Sequence, residues 1–317
     1  MTKVIFRSIA AFALVATLIV SASFAQKQEN QKIRTVSIPI SIYTKQELKQ
    51  GQTEEFLQAD LLAAKENGEE QTILSIRSVV DAPLSLSVLI QEDLTSQFNL
   101  QLKDIRTFIL GLPKGSRVMV AYMRGGSLDI RQKFTPDLEK AAASIRIISS
   151  SSYSAPRNPY DSLTDALDRF DALPAGRRAV LMLSDGLDLS NDAYGASPSQ
   201  STDLQIAINR AQRKNVAVFS FYFPTETTEN GNKMLALFGQ GSLDKLANET
   251  GGRFFAHGTI TPLNFDPFFK QLKVLLTRQF LLTYLTANMK KGYYKVEVTS
   301  TNPEVKIEHP KGYYYRR

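Results

Sequence analysis

Apolar side chains are spaced along this chain in three ways, and each spacing predicts a different element. From Val36 to Ile42 they alternate, with Val36, Ile38, Ile40 and Ile42 on one face and Ser37, Pro39 and Ser41 on the other. That period of two predicts a half-buried strand, and Pro39, which has no N–H to give a ladder, predicts that it lies at a sheet edge. A strand-like piece near Phe56 to Lys65 and another from Gln71 to Arg77 flank Asn67-Gly68, a pair suited to the positive backbone angles of a tight hairpin. Leu84 to Ile90, Ala179 to Leu183 and Val216 to Tyr222 are instead short, nearly unbroken apolar runs, the pattern of strands covered on both faces in a parallel sheet.

Between those runs the spacing becomes helical. Phe98, Leu102, Ile105 and Ile109 form one stripe, and Leu138, Ala142, Ile145 and Ile148 a second. Leu163, Leu167 and Phe170 form a third, Leu204, Ile208 and Ala211 a fourth, and Leu243 to Thr250 ends on Gly251-Gly252 as a helix does. After a helix over Pro267 to Leu276 the pattern returns to strands at Phe280 to Leu285, Tyr293 to Thr299 and Val305 to His309. Strands alternating with amphipathic helices predict an α/β fold, a doubly wound, mostly parallel sheet with its binding site at the carboxyl ends of the strands. Three short strands at either end are marginal alone, so they are expected to pair into one small β-sandwich-like module. The expected organisation is residues 1–25, 26–80 as an amino-terminal β module, 81–278 as the α/β domain, and 279–317 as strands packing on the first module.

The first 25 residues read as a secretory signal peptide. Lys3 and Arg7 precede an apolar run from Ile9 to Val20, which ends in Ser21-Ala22-Ser23-Phe24-Ala25. Cleavage after Ala25 predicts a periplasmic or secreted protein, and membrane contact only through that segment if it stays uncut. Its loss lowers the formal +7 by two, and the remaining positive charge is scattered, which argues against a nucleic-acid footprint. The absence of cysteine excludes disulfides, thiolate metal sites and a cysteine nucleophile. His257 and His309 are the only imidazoles, and neither sits in a nucleophile arrangement, so the sequence points away from an enzyme.

Oxygen ligands gather at the strand ends. Leu84 to Ile90 runs into Gln91-Glu92-Asp93-Leu94-Thr95-Ser96, the strand through Ser184 runs into Asp185-Gly186-Leu187-Asp188, and Asn158-Pro159-Tyr160-Asp161-Ser162 precedes a helix. Carboxylates and hydroxyls converging from separate loops suit a hard cation such as Mg²⁺, Mn²⁺ or Ca²⁺. Each residue also has an ordinary use, as a helix cap or in a turn.

These segments resemble a known family. Pro83 to Ile90 with its acidic loop is similar to the first strand of von Willebrand factor type A domains, Ala179 to Gly186 to their fourth strand, and Thr250-Gly251-Gly252-Arg253-Phe254-Phe255 to the approach to their last. The outer segments Glu66 to Gln71, Asp81 to Leu84 and Gly312-Tyr313-Tyr314 resemble a type A-related subfamily of exported bacterial proteins, well represented in acidobacteria. The resemblance implies a metal-ion-dependent adhesion site built from D-x-S-x-S, a threonine and an aspartate. Here Gln91 stands at the first aspartate, Asp93 at the first serine and Thr95 at the second. Asp161 falls at the threonine if Asp165-Ala166-Leu167 is aligned with the family's D-A-L, and Asp185 alone is unchanged.

The expectation is therefore a binding or adhesion-type module that recognises a protein or envelope partner through the rim of Gln91 to Ser96, Ser149 to Ser162 and Asp185 to Asp188. The rim holds either a cation at Gln91, Asp93, Thr95, Asp161 and Asp185 or no metal. In the second case the acids repel and at least one pKa rises, unless a cation such as Arg157 relieves them. The alternative is a metal-free assembly scaffold that makes its contacts through the β module.

Overall fold

The computed structural model describes residues 32–50, 62–149, 158–174, 176–190, 196–229, 233–257 and 264–315. The signal segment, residues 56–61 of the second strand-like piece, Arg157 and most of the serine run lie outside them. One compact unit holds Thr35–Thr286 and Lys290–Arg317, and another includes Arg34 and Ala287–Met289, where Arg34 Nε donates to the Asn288 carbonyl at 2.6 Å.

The strands in chain order are β1 (Arg34–Thr44), β2 (Leu62–Glu66), β3 (Glu69–Gln71), β4 (Ile73–Ser78), β5 (Leu84–Gln91), β6 (Arg117–Arg124) and β7 (Ser127–Thr135). They continue with β8 (Arg177–Ser184), β9 (Ala217–Tyr222), β10 (Phe254–Phe255), β11 (Gln279–Thr286), β12 (Gly292–Ser300), β13 (Val305–Glu308) and β14 (Gly312–Tyr315). The helices are α1 (Lys45–Gln50), α2 (Leu102–Leu110), α3 (Leu138–Ala143), α4 (Pro159–Asp168), α5 (Thr202–Lys214), α6 (Glu226–Glu229), α7 (Lys233–Thr250) and α8 (Asp266–Thr277).

The unbroken apolar runs become the centre of a six-stranded sheet in the order β10-β9-β8-β5-β6-β7, parallel except for β7. Leu84, Leu86, Val88 and Ile90 face a core shared with α2, α3 and α8, while Leu89 faces one shared with α4, α5 and α7. With helices on both faces, every residue of β5 is buried, which is why its sequence does not alternate. β5 pairs β6 on one side and β8 on the other, so the strand order reverses here. The loops leaving β5 and β8 part at that point and open a crevice beyond the strand ends. Among the described residues no helix is long and apolar enough to cross a membrane.

Two four-stranded sheets, β13-β1-β11-β4 and β14-β12-β2-β3, are built from strands of both ends of the chain. Val36, Ile38, Ile40, Ile42, Leu282 and Tyr284 pack there with Ala64, Val296 and Val298. Glu66 is buried in the same core, where Tyr284 and Tyr313 hydroxyls donate to Oε2 at 2.8 and 2.7 Å and Thr286 donates to Oε1 at 2.6 Å. Arg177 staples this module to the α/β sheet: its guanidinium donates to the carbonyls of Ala82, Leu276 and Val80 at 2.9, 2.7 and 3.0 Å.

Several local readings need correction. β1 lies inside its sheet, but β13 pairs only with Ser41–Thr44, so the ladder on that side stops short of Pro39, which needs no donor there. The segment Gln71 to Arg77 is two strands: β3 completes the Asn67-Gly68 hairpin (φ 51° and 88°), and β4 crosses to the other sheet. The stripe ending at Ile148 is helical only to Ala143. Beyond it, side chains take over the backbone: the Tyr122 hydroxyl binds both N–H and C=O of Arg146, and the Asn99 amide does the same for Ile148. The hairpin arm β7 is mostly half-exposed and β14 is four residues long, so neither shows a clear period.

His309, buried beneath β12, accepts the Val298 N–H at Nε2, which leaves the proton on Nδ1 facing the Pro310 carbonyl. Burial first and Lys311 second push its pKa down to about 4. An unfolded imidazole titrates near 6.5, so as pH falls from about 6.5 to about 4 the unfolded chain takes up a proton that the native state refuses. Up to about 3 kcal/mol of stability should be lost across that window. His309→Gln should flatten this part of the urea-measured stability curve relative to the parent; parallel curves would show that His309 does not set it.

Candidate functional site

The rim is knitted together by hydrogen bonds between loops that are far apart in sequence. Beyond β5, Leu94 bridges Thr225 and the Thr95 N–H reaches the Pro224 carbonyl at 3.0 Å, so the loops after β5 and β9 are joined. Gln91, the last residue of β5, is the hub. Its Oε1 accepts from the Ser184 hydroxyl at 2.5 Å and the Asp185 N–H at 3.1 Å, and its Nε2 donates to Asp93 Oδ1 at 2.9 Å. An amide can do both at once; a carboxylate at this position would face Asp93 as a like charge.

Asp185 is fully buried, and both its oxygens are engaged. Oδ1 accepts the Leu187 N–H at 3.1 Å, closing a turn, and Oδ2 accepts the Thr225 hydroxyl at 2.7 Å. The turn is held from behind by α7, whose Gly239 is pressed so close that a Cβ there would stand 2.1 Å from the Asp185 carbonyl oxygen. Thr95 is buried as well, and its hydroxyl has no hydrogen-bond partner among the described residues.

Asp161 belongs to a second network. Asn158 caps α4 by accepting the Tyr160 and Asp161 N–H groups, and its Nδ2 donates to Asp161 Oδ2 and Asp203 Oδ2, both at 2.8 Å. Asp188 lies nearby, held by Ser190 and Ser201. Partial burial first, then the Asp203 and Asp188 charges, push the Asp161 carboxyl above the usual carboxylate range. The buried Tyr160 links the two networks, its hydroxyl donating to the Gly186 carbonyl at 2.6 Å. Gln91 is thus bonded to both Asp93 and Asp185, while Asp161 is bonded to Asn158. Among the described residues no three His, Asp or Glu side chains gather in a set that would hold a metal ion.

No family model matches the sequence. No curated protein matches it either. Solved structures do. An aerotolerance-related membrane protein from Bacteroides fragilis is 14% identical, with 62% of this chain and 98% of that one covered and a TM-score of 0.41. A von Willebrand factor type A protein from Catenulispora acidiphila is 11% identical (91% and 74% covered, TM-score 0.42), and manganese-loaded TRAP from Plasmodium vivax 10% (78% and 96%, TM-score 0.42). Von Willebrand factor type A domains are among its structural neighbours. At such identity a neighbour's chemistry does not transfer to this chain.

The six-stranded sheet also presents apolar groups beside its polar rim. Leu100 and Ile147 are 77% and 70% exposed, on segments that the paired Asn99 bonds to Ile148 lock side by side. Met234 and Leu237, also exposed, open α7 in the turns before Gly239. Next to Ile147, Arg146 pairs with Glu92 at 2.5 Å and lies 4.3 Å from the centre of the Tyr122 ring. Sequence reasoning missed Ser184, Thr225 and Asp203 as members of these networks, and placed Asn158 in the rim without its role as the amide that joins Asp161 to Asp203. Ser184 and Thr225 carried a usable signal, since each closely follows a buried strand where a hydroxyl has no solvent to bind.

Proposed function

We propose that this chain is a non-enzymatic binding module that takes a protein partner of the cell envelope at the strand-end rim, and that the rim is held by hydrogen bonds without a cation. The observation that carries this reading is the pair Leu100 and Ile147, two large aliphatic side chains exposed to solvent on backbone that Asn99 fixes. Apolar groups presented on rigid segments gain contact area at little ordering cost, and flanking charges such as Arg146 and Glu92 supply a polar edge. Met234 and Leu237 extend the same chemistry to the far side of the crevice.

The donor set supports the metal-free half of the proposal. To ligate a cation, Gln91 Oε1, which already accepts two hydrogen bonds, would have to release Ser184 or the Asp185 N–H, and the buried Asp185 has its oxygens turned to Leu187 and Thr225. Asp161 is held with Asp203 by the Asn158 amide in the other network. His309, with both ring nitrogens engaged in the sandwich, offers no base to the rim. Export, expected from the first 25 residues, gives the partner's compartment.

The test is site-specific photocrosslinking in the producing cell. A crosslinker at Leu100, Ile147 or Leu237 should trap a discrete partner, one at the exposed Leu74 of β4 should not, and the yield should be the same with chelator as with Mg²⁺, Mn²⁺ or Ca²⁺. Capture at Leu74 alone would instead favour a scaffold that uses the β module. Capture that needs a divalent ion would replace the hydrogen-bonded rim with a metal-held one.

A further inference from the structure

At the opposite end of the sheet, where β8 and β9 begin, a cleft of about 280 Å³ opens between the α/β sheet and the β module. Pro39, Ala217, Phe280 and Leu281 give it apolar walls, and Arg177, Arg178 and Gln279 give it polar ones. Two of the polar groups are deeply buried, Arg177 being 6% and Gln279 5% exposed.

Gln279 is the unusual member. Its Oε1 is buried with no hydrogen-bond partner among the described residues, although a leucine would fill the same place in β11 without a desolvated carbonyl. Arg177 spends three of its five N–H groups on the carbonyls of Val80, Ala82 and Leu276 and keeps two. Burial lowers its pKa, an effect that the Asp81 charge offsets only in part, so an added anion is favoured there. Arg178 brings a second guanidinium to the wall, with one donor turned to the Leu173 carbonyl at 3.3 Å.

We infer that this cleft binds an apolar amino-acid residue with a free α-carboxylate and an acylated amine, the carboxylate on Arg177 and Arg178, the N–H on Gln279 Oε1, and the side chain against Phe280 and Leu281. The volume lies just below the range of about 300–1,000 Å³ typical of small-molecule sites, which suits a single residue. The same chemistry occurs in a free N-acyl amino acid and at the carboxyl terminus of a protein. The site is at the far end of the strands from the rim and stands or falls independently of the function proposed for it.

The probe is N-acetyl-L-leucine, titrated by NMR and thermal shift into the whole protein, beside N-acetyl-L-leucinamide and a pentapeptide ending in leucine. The acid should bind with Kd of about 1 mM or tighter and the amide at least about tenfold more weakly, as loss of the carboxylate removes the charge-assisted bonds. Binding of the pentapeptide would identify a protein terminus as the source of the ligand, and its failure beside a bound acid a free acyl amino acid. Gln279→Leu should weaken the acid at least about tenfold while raising Tm by about 2–4 °C, since it removes a buried unbonded acceptor. Leu281→Trp, which fills the cleft, should abolish binding in a protein that still melts cooperatively. The inference is overturned if the acid at about 10 mM, ten times the expected limit, shifts nothing, if the amide binds as well, or if neither variant changes the affinity.

Discussion

Arg177→Ala should lower the stability of the protein by about 3–5 kcal/mol, the scale on which removing one partner from a buried charged network is felt. Arg177 opens β8, and its guanidinium ties together three pieces: the connection through Val80 and Ala82, the strand itself, and the last turn of α8 at Leu276. Carbonyls in a last helical turn lack intrahelical donors, and a cation there also meets the negative end of the helix dipole. Deletion leaves three carbonyls without their donor at once. Arg177→Lys should recover less than half of the loss, because one ammonium cannot span three directions that a planar fork can. Urea unfolding followed by tyrosine fluorescence measures both, the chain having 12 tyrosines and no tryptophan. A loss below about 1 kcal/mol for the alanine variant would mean that the staple is ornamental.

A second large effect is expected at Glu66. Alanine there should cost about 3–5 kcal/mol, since it empties a core position and strips the acceptor from the hydroxyls of Tyr284, Tyr313 and Thr286. Glu66→Gln keeps one acceptor oxygen and most of the volume and should cost about 1–2 kcal/mol. The difference between the two variants reports on the filled volume and the acceptor oxygen that glutamine keeps, and the shared loss on the second acceptor oxygen. If both variants unfold at the same urea concentration as the parent, the three hydroxyls must find water instead, and the sandwich core is wetter than its packing indicates.

The α/β layers were legible in the sequence because burial on both faces leaves an unmistakable mark. Leu84 to Ile90, Ala179 to Leu183 and Val216 to Tyr222 can hardly be anything but central strands, and the stripes beginning at Leu163 and Leu204 became α4 and α5. What stayed hidden was set by side chains acting on distant backbone. The helix beginning at Leu138 stops at Ala143 because Tyr122 and Asn99 reach across to Arg146 and Ile148, and no local pattern reports that. At the rim, the sequence supplied the acidic residues but not their partners. Gln91 reads as the loss of a carboxylate from a ligand set; folded, it is the group that joins Asp93 to Ser184 and Asp185. Nothing local to Glu66, beside the Asn67-Gly68 turn, shows that the return of β11 and β14 makes it a core residue.

That return has a consequence for how the chain is made. Tyr43 in β1 donates its hydroxyl to Glu308 at the end of β13, 265 positions later. At a synthesis rate of roughly 5–20 residues per second, β1 waits about ten to fifty seconds for the neighbour that completes its ladder. During that interval Ile38, Ile40 and Ile42 lack the β11 and β13 neighbours that cover them in the folded protein, so the sandwich closes only after the carboxyl-terminal strands have been made.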